Sequence, residues 1–597
     1  MKSTLLSRRD LDFLLYEWLR VEDLTKRDRF AEHSRETFDG VLDLSEELAE
    51  KYFAPHNKKS DANEPTFDGT RVTVIAEVKE AIDAFAQADL IGASMDESLG
   101  GAQLPACVAQ AGFAYVSAAN VSTSGYLMLT VANANLIAKF GDDEQIEAFV
   151  KPMLAGRFTG TMALSETQAG SSLADILTRA EPRDDGTYRL FGSKMWISGA
   201  EHELSDNIVN LVLAKIPGGP PGTKGISLFI VPKYLSGPDG ANGPVGERND
   251  VTLAGLNHKM GQRGITNTVL NFGEGVHSPG GEAGAVGYLV GEPHRGLTYM
   301  FHMMNEARLA VGMGAVSLGY TGYLKSVAYA RERPQGRLVK DPSTPQVPIV
   351  EHTDVKRMLL AQKAYVEGGL ALALYCTRLI DLQRCPESAE EAEYVTHLLD
   401  ILVPVAKSWP SQWCLEANSL AIQVHGGYGY TREYDVEQHY RDNRLNPIHE
   451  GTHGIQSLDL LGRKVTQHGG ASLVELGKAV AATVEQATAD ESAALAAQLD
   501  SSFQRLVEVT AAMFATGDVE AALANSAIYL EAFGHIVMAW IWLEQYLVAE
   551  GQSGDFYDGK RQAARYFFRY ELPRTAPQLD LLAGLDRTTM EMRDAWF

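Results

Sequence analysis

From about residue 158 to residue 285 the chain changes texture, and that island constrains the fold more than any other feature. "TYRLFGSKMWISG", "NIVNLVLAKI", "KGISLFIVPKYL" and "NTVLNFGEGV" are short, rich in β-branched and aromatic residues, and parted by Gly, Pro, Asp and Asn. Runs of this kind are strands separated by turns. "PGGPPGTKG" reads as a loop within the same domain. On both sides the apolar spacing is helical. Upstream, "TFDGVLDLSEELAEKYFAP" and "VTVIAEVKEAIDAFAQADL" place apolar residues three and four apart. Downstream, "GLTYMFHMMNEARLAVGMGAVSLGYTGYLKSVAYARER" is apolar on most faces, so this helix must be buried among others. A break, "QHGGAS" at residues 467–472, opens a further Ala-rich, acidic helical stretch. The layout predicts an α+β multidomain protein: a helical domain at 1–157, a β domain at 158–288, and helical domains at 289–465 and 466–597.

Bulk properties narrow the function. A chain of 597 residues is too long for one core, and 45% hydrophobic with 22% charged residues is ordinary for a globular protein. The formal charge of −24 disfavours nucleic acid and anionic membranes as partners. Cys107, Cys376, Cys385 and Cys414 form no C-x-x-C pair, which suits a reducing compartment better than a disulfide scaffold. The N-terminus reaches Asp10 and Asp12 before any apolar run, unlike a secretory signal. The densest apolar run, "HIVMAWIWL", is too short to span a bilayer. A cytoplasmic protein without stable membrane insertion is expected.

The segment His449-Glu450-Gly451-Thr452-His453 reads literally as H-E-x-x-H, a zinc-hydrolase signature. That site needs both histidines on one face of a helix. Pro447 lies two residues upstream, and Gly451 and Gly454 fall inside or just after the required turn. Each glycine costs about 1 kcal/mol in a helix interior. Glu475 or His468 can be nominated as a third ligand, but nothing marks either, and no metal is expected. Standing alone, the segment reads as a loop with incidental histidines.

It does not stand alone. "HGGYGYTREYDVEQHYRDNRLNPIHEGTHGIQ" resembles the C-terminal signature of the acyl-CoA dehydrogenase family, whose "YEGT"-type turn carries the catalytic glutamate. "MALSETQAGSSLADILTRA", "GSKMWISGA", "LNHKMGQRGITNTVLNF" and "NEARLAVGMGAVSLGYTGYLKSVAYARER" resemble four further blocks of the same family, in the same order. The resemblance implies an acyl-CoA dehydrogenase-like fold: an N-terminal helical domain, a middle β-barrel or sandwich and a C-terminal four-helix bundle. The extra C-terminal helical domain resembles that of the larger members, among them 3-methylmercaptopropionyl-CoA and long bacterial fatty acyl-CoA dehydrogenases. Residues 475–550 carry only Lys478 and Arg505 as lysine or arginine, so packing or dimer stabilisation is expected of the extension, not membrane attachment.

Dehydrogenating a saturated acyl thioester removes a weakly acidic α-proton while a hydride leaves the β-carbon. A carboxylate must face one side of the substrate and a flavin the other, and desolvation raises the carboxylate's pKa toward neutrality and improves it as a base. By residue match the base is Glu450. Some relatives carry it on the long helix directly before an arginine, but here that residue is Ala307, and Glu306 lies about 100° round the helix. "GMGAVSLG" lacks the glycine spacing and preceding strand of a dinucleotide fingerprint and reads as close helix packing. The resemblance assigns FAD instead to Met162, Leu164, Ser165, Gly170, Ser171, Trp196 and Ser198, with Thr452 and Gly454 along the flavin. Arg333 is assigned to the pyrophosphate of a neighbouring subunit, and Gln423, Gly426 and Gly427 to the adenosine side. Ser171, Arg308 and Gly451 are assigned to the substrate. The implied reaction takes medium- to long-chain acyl-CoA to trans-2-enoyl-CoA, the first step of β-oxidation, passing electrons to an electron-transferring flavoprotein from a homo-oligomer, a dimer by preference. A 3-methylmercaptopropionyl-CoA dehydrogenase and a non-catalytic flavoprotein are the alternatives.

Overall fold

The computed structural model describes residues 3–237, 243–338 and 342–597. They gather into two compact units: His33–Ala307, and Met1–Glu32 together with Arg308–Phe597.

The first unit opens with four helices, α1 (Arg35–Leu48), α2 (Ala76–Gln87), α3 (Ala106–Ala119) and α4 (Val121–Phe140). The Ser34 hydroxyl caps α1 by accepting from the Thr37 amide, and the face that turns inward carries Phe38, Leu42, Ser45 and Leu48. Asn120 caps α4 in the same way through the Thr123 amide. Eight strands follow among the described residues: β1 (Phe158–Ala163), β2 (Arg179–Pro182), β3 (Tyr188–Ser198), β4 (Asn207–Lys215), β5 (Ile226–Pro232), β6 (Val251–Leu256), β7 (Asn267–Phe272) and β8 (Ala285–Leu289). They pair in the order β8-β5-β4-β2-β3-β7-β6, with β1 parallel to β4. A second pairing of β8, to β3, closes five of them into a ring. This is the barrel-like β domain that the texture of the sequence required. Its core is Leu190, Val212, Phe229, Val231, Leu270 and Phe272.

The second unit is helical. It contains α5 (Gly296–Glu332) from Arg308 onward, then α6 (Thr353–Arg384), α7 (Ala389–His425), α8 (Val436–Asn443), α9 (His453–Asp459), α10 (Ala471–Gln486), α11 (Asp490–Ala515), α12 (Ser526–Ala549), α13 (Asp555–Tyr566) and α14 (Thr575–Ala583). The glycines of "GMGAVSLG" do let helices approach. A Cβ at Gly312 would come within 2.0 Å of the Ala406 carbonyl, so α5 and α7 touch backbone to backbone there. The helix α12 is long and apolar enough to cross a membrane, yet most of it is buried inside this unit. Trp542 donates to the Ala364 carbonyl at 3.1 Å and Trp540 to the Thr483 hydroxyl at 2.8 Å, which makes α12 the core of the C-terminal part.

The first 32 residues depart from the sequence reading, which placed them with the N-terminal helical domain. They pack in the second unit. Phe13 and Leu14 are fully buried, and Asp10 accepts from the Tyr320 hydroxyl at 2.8 Å. Asp10 also pairs with Lys560, whose ammonium lies 2.9 Å from Glu367 and donates to Gln545 at 3.0 Å. Arg27 forks onto Glu391 at 2.7 and 2.9 Å. Buried charges persist only when paired, and the partners of Asp10 come from α5 and α13.

Candidate active site

The segment between α8 and α9 carries Glu450. It has no regular structure, and its shape is set by hydrogen bonds from neighbouring elements. The Thr452 hydroxyl accepts from the Ile455 amide at 3.2 Å, so Thr452 is the N-cap of α9 and the helix begins only at His453. The His453 amide donates back to the Pro447 carbonyl at 3.0 Å and closes the turn. Within it Glu450 and Gly451 both adopt left-handed backbone, φ +53° and +88°. Side-chain-bearing residues seldom take that conformation, and it persists where the surroundings impose it.

Three groups impose it here. The Gln456 side chain, fully buried, donates to the Glu450 carbonyl at 3.1 Å. A chain of buried amides runs up from the helices: Asn418 donates to the Leu318 carbonyl at 2.9 Å, Asn443 donates to Asn418 at 2.7 Å, and Asn446 donates to Asn443 at 2.9 Å. Lys407, fully buried on α7, donates to the Asn446 carbonyl at 2.8 Å and to the Gly451 carbonyl at 2.7 Å.

The electrostatics follow from this enclosure. Burial pushes the Glu450 carboxyl up to about 7, against the pull of Lys407 and Arg308. Burial lowers Lys407 to about 8, with Glu450 opposing. His449 is held neutral, at about 3, by burial and then by Lys407, and its Nε2 lies 3.0 Å from the Asn446 amide oxygen. The zinc reading fails on this geometry. His449 lies in the turn and His453 is the first residue of α9, so the two do not stack one helical turn apart. Among the described residues no group of three or more His, Cys, Asp or Glu is arranged to hold a metal ion.

Ala307 is buried, and Glu306 accepts from Asn135 at 3.1 Å. Arg308 is 2% exposed and holds Asp459 at 3.0 Å, so the guanidinium assigned to substrate already has a protein partner. Thr452 and Gly454 sit at the start of α9. Gln423, Gly426 and Gly427 are exposed at the end of α7, with Gly426 at φ +62°. Arg333, also exposed, stands 5.7 Å over the Tyr428 ring, which brings it to the same surface.

In the β-containing unit, β1 delivers Met162 and leads into Leu164 and Ser165, and the Ser165 carbonyl accepts from the Met195 amide at 3.0 Å. Next to that contact the register of β3 shifts between Met195 and Ile197, and Trp196 takes φ +67° with its indole 59% exposed. Ser198 is tied in through its hydroxyl, which accepts from Asn267 at 3.1 Å, and its carbonyl, which accepts from the Thr161 hydroxyl at 2.6 Å. Gly170 and Ser171 lie exposed on the loop that follows Glu166. Glu166 organises that loop: it accepts from the Leu177 amide at 2.7 Å, the Thr178 amide at 3.0 Å and hydroxyl at 2.6 Å, and Lys194 at 3.0 Å. Burial alone would raise Glu166, but Lys194 and these donors hold it down at about 2. Lys194, fully buried with fewer partners, is itself lowered to about 8 by burial. The exposed Trp196 indole, carried on a bulge, offers a flat face on which a planar aromatic ligand can stack. The residues present fit a flavin ring.

Helical, β and helical domains in this order agree with the class of flavin-dependent thioester dehydrogenases that the sequence resembles. Comparison with known proteins agrees. The chain matches the acyl-CoA dehydrogenase N-terminal domain over residues 36–157, the middle domain over 161–273 and the C-terminal domain over 294–465; residues 476–593 match the domain described as acetyl-CoA dehydrogenase C-terminal like. It is 35% identical to a 3-methylmercaptopropionyl-CoA dehydrogenase of Ruegeria pomeroyi, covering 93% of each chain. It is 31% identical to the broad-specificity linear acyl-CoA dehydrogenase FadE5 of Mycobacterium tuberculosis, covering 99% of each. Its fold resembles an acyl-CoA dehydrogenase complexed with FAD from Bacillus anthracis, with a TM-score of 0.73 at 20% identity over 94% of this chain and 90% of that one. The chain belongs to the acyl-CoA dehydrogenase family and is an FAD-dependent oxidoreductase of acyl-CoA thioesters.

The residues that the sequence reading missed are those that hold the assigned ones in place: Lys407, Asn418, Asn443, Asn446 and Gln456 around Glu450, and Glu166 with Lys194 beneath the loop that carries Gly170 and Ser171. The asparagines of "RDNRLN" were the available signal, since asparagines in a loop-bordering stretch often hydrogen-bond backbone.

Proposed function

We propose that Glu450 is the base that takes the α-proton of the bound acyl-CoA, and that the product is trans-2-enoyl-CoA. The observation that carries the reading is a carboxyl held near neutrality, at about 7, on a left-handed turn with no second carboxylate at Ala307. The β-hydride acceptor would be supplied by FAD when it is bound. Met162, Leu164, Ser165, Gly170, Ser171, Trp196 and Ser198 would hold it in the β-containing unit. Thr452 and Gly454 would line it in the helical unit, where Gln423, Gly426, Gly427 and Arg333 form an exposed surface suited to the dinucleotide of a second subunit. Ser171 and Gly451 are proposed substrate contacts, and the Glu450 amide helps hold the thioester carbonyl. Arg308, whose Nη1 is held by Asp459 at 3.0 Å, is the proposed contact to CoA.

Medium- to long-chain acyl-CoA is the proposed substrate, with an electron-transferring flavoprotein as acceptor, in a cytoplasmic homodimer. The likeness to a 3-methylmercaptopropionyl-CoA dehydrogenase over nearly the whole chain supports a methylthio substrate as the second reading. Rates across straight-chain, branched and methylthio acyl-CoAs separate the two.

Glu450→Gln keeps shape and a hydrogen-bonding amide but removes the proton acceptor. Anaerobic bleaching of the flavin by acyl-CoA should slow by about 10²–10⁴-fold with FAD still bound. His449→Ala and His453→Ala should be far milder. Normal bleaching in Glu450→Gln, or the reverse ordering of the three variants, would remove the assignment.

A further inference from the structure

Burying an ammonium is expensive unless each donor finds an acceptor, so a fully buried lysine in the middle of an apolar helix needs a reason. Lys407 lies in "ILVPVAKSWP" on α7. The acceptors its ammonium meets are not carboxylates. Both are main-chain carbonyls, of Asn446 at 2.8 Å and Gly451 at 2.7 Å, and those two residues bracket the left-handed Glu450. An apolar residue there would leave two buried carbonyls of the turn without a donor.

We propose that Lys407 is a positioning residue for Glu450: its ammonium clamps the two ends of the turn and supplies the fixed positive charge that keeps the carboxylate ready to accept a proton. The inference rests on the reading of Glu450 as the base. The charged and titratable groups around Glu450 come from four helices, the segment after α9 and the turn itself. Lys407 comes from α7. Arg308 comes from α5 and is paired with Asp459 of α9, which also holds Arg463 at 2.7 Å. His449 and His453, from the turn and α9, are both lowered by burial and then by Lys407, and Glu531 of α12 acts on His453 in the opposite direction. Burial drives the Glu450 carboxyl upward and Lys407 is the larger of the two charges restraining it, with Arg308 second.

The test uses the FAD-loaded enzyme and three substitutions: Lys407→Met, which removes charge and donors; Lys407→Gln, which keeps a donor without charge; and Lys407→Arg, which keeps the charge. The measurement is the pH dependence of single-turnover flavin bleaching by acyl-CoA, with FAD content and thermal melting recorded alongside. The parent's rate should rise with pH through about 7, where Glu450 loses its proton. Removing a neighbouring charge should move that limb upward by about one pH unit in Met and Gln, which slows bleaching at pH 7 by about fivefold. Any further slowing in Met at high pH, absent from Gln, measures the clamp. Lys407→Arg should return the limb to its parent position. Lower melting with an unmoved limb in all three would overturn the proposal and leave Lys407 a folding residue only, as would failure of all three to fold. The Glu450 reading fails separately, through normal bleaching in Glu450→Gln.

Discussion

Gly451 offers the most direct physical test of the turn. Its φ of +88° is open to glycine at little cost, while a residue with a Cβ costs roughly 1–2 kcal/mol more in left-handed backbone. A Cβ built on Gly451 would lie 2.5 Å from Nε2 of Gln456, closer than real contacts allow. That nitrogen cannot swing aside freely, because Gln456 is fully buried and donates through it to the Glu450 carbonyl at 3.1 Å. Displacing it forfeits a hydrogen bond contributing about 0.5–1.5 kcal/mol. Gly451→Ala therefore places a strain of about 1.5–3.5 kcal/mol on one turn. The turn relieves it by moving, and the nearest functional atoms are those of Glu450. A displacement of about 1 Å at a reacting group costs on the order of 10²-fold in rate. Stopped-flow anaerobic bleaching should slow by about 10–100-fold while FAD content stays at the parent level. Parent-like bleaching in Gly451→Ala would refute the claim that the backbone of this turn sets the position of the base.

Two further outcomes follow from buried ion pairs. Glu166→Gln leaves Lys194 buried without its counter-charge, which should destabilise the β domain by roughly 3–5 kcal/mol and loosen FAD, read as flavin released on dialysis. Because the carboxylate's pKa is depressed, to about 2, its contribution is present above the ordinary value near 4.5 and lost as pH falls toward 2. The stability difference between parent and variant should shrink across that window, and a constant difference would count against the network. Lys560→Met leaves the buried Asp10 without its counter-charge and Glu367 with Lys363 alone, a loss of roughly 3–5 kcal/mol, and should expose residues 3–32 to limited proteolysis. Truncation after Val465 removes Lys560 together with α12 and should give an insoluble chain; a soluble, protease-resistant product would show that the extension is dispensable.

How much of the fold was legible depended on where each element gets its stability. Tyr188–Ser198, Asn207–Lys215, Ile226–Pro232 and Asn267–Phe272 were readable because they are rich in β-branched and aromatic residues, and the second and third are buried almost throughout. Phe158–Ala163 was not. "FTGTMA" has little strand character of its own, and it is a strand because β4 pairs with it along its whole length. The first 32 residues show the same limit at longer range. Helical spacing says nothing about which unit a segment joins, and what decides it is Asp10 meeting a lysine at position 560.

The site divides the same way. Glu450 was legible through resemblance, and the competing zinc motif was weakened by its glycines, but what dismisses that motif is the Thr452 cap that delays the helix to His453. Threonine followed by a helix is a signal present in the sequence, readable once the helix start is known. Lys407 carried no such signal. A lone lysine in an apolar helix most often reaches solvent along its own stem, and here it does not, because two carbonyls at 446 and 451 meet it inside the fold. Carbonyls belong to every residue type, so no pattern of side chains marks such a partner. The part of a site that acts through main chain is therefore the part a sequence conceals best, and in this protein that part fixes the conformation of Glu450, the proposed base.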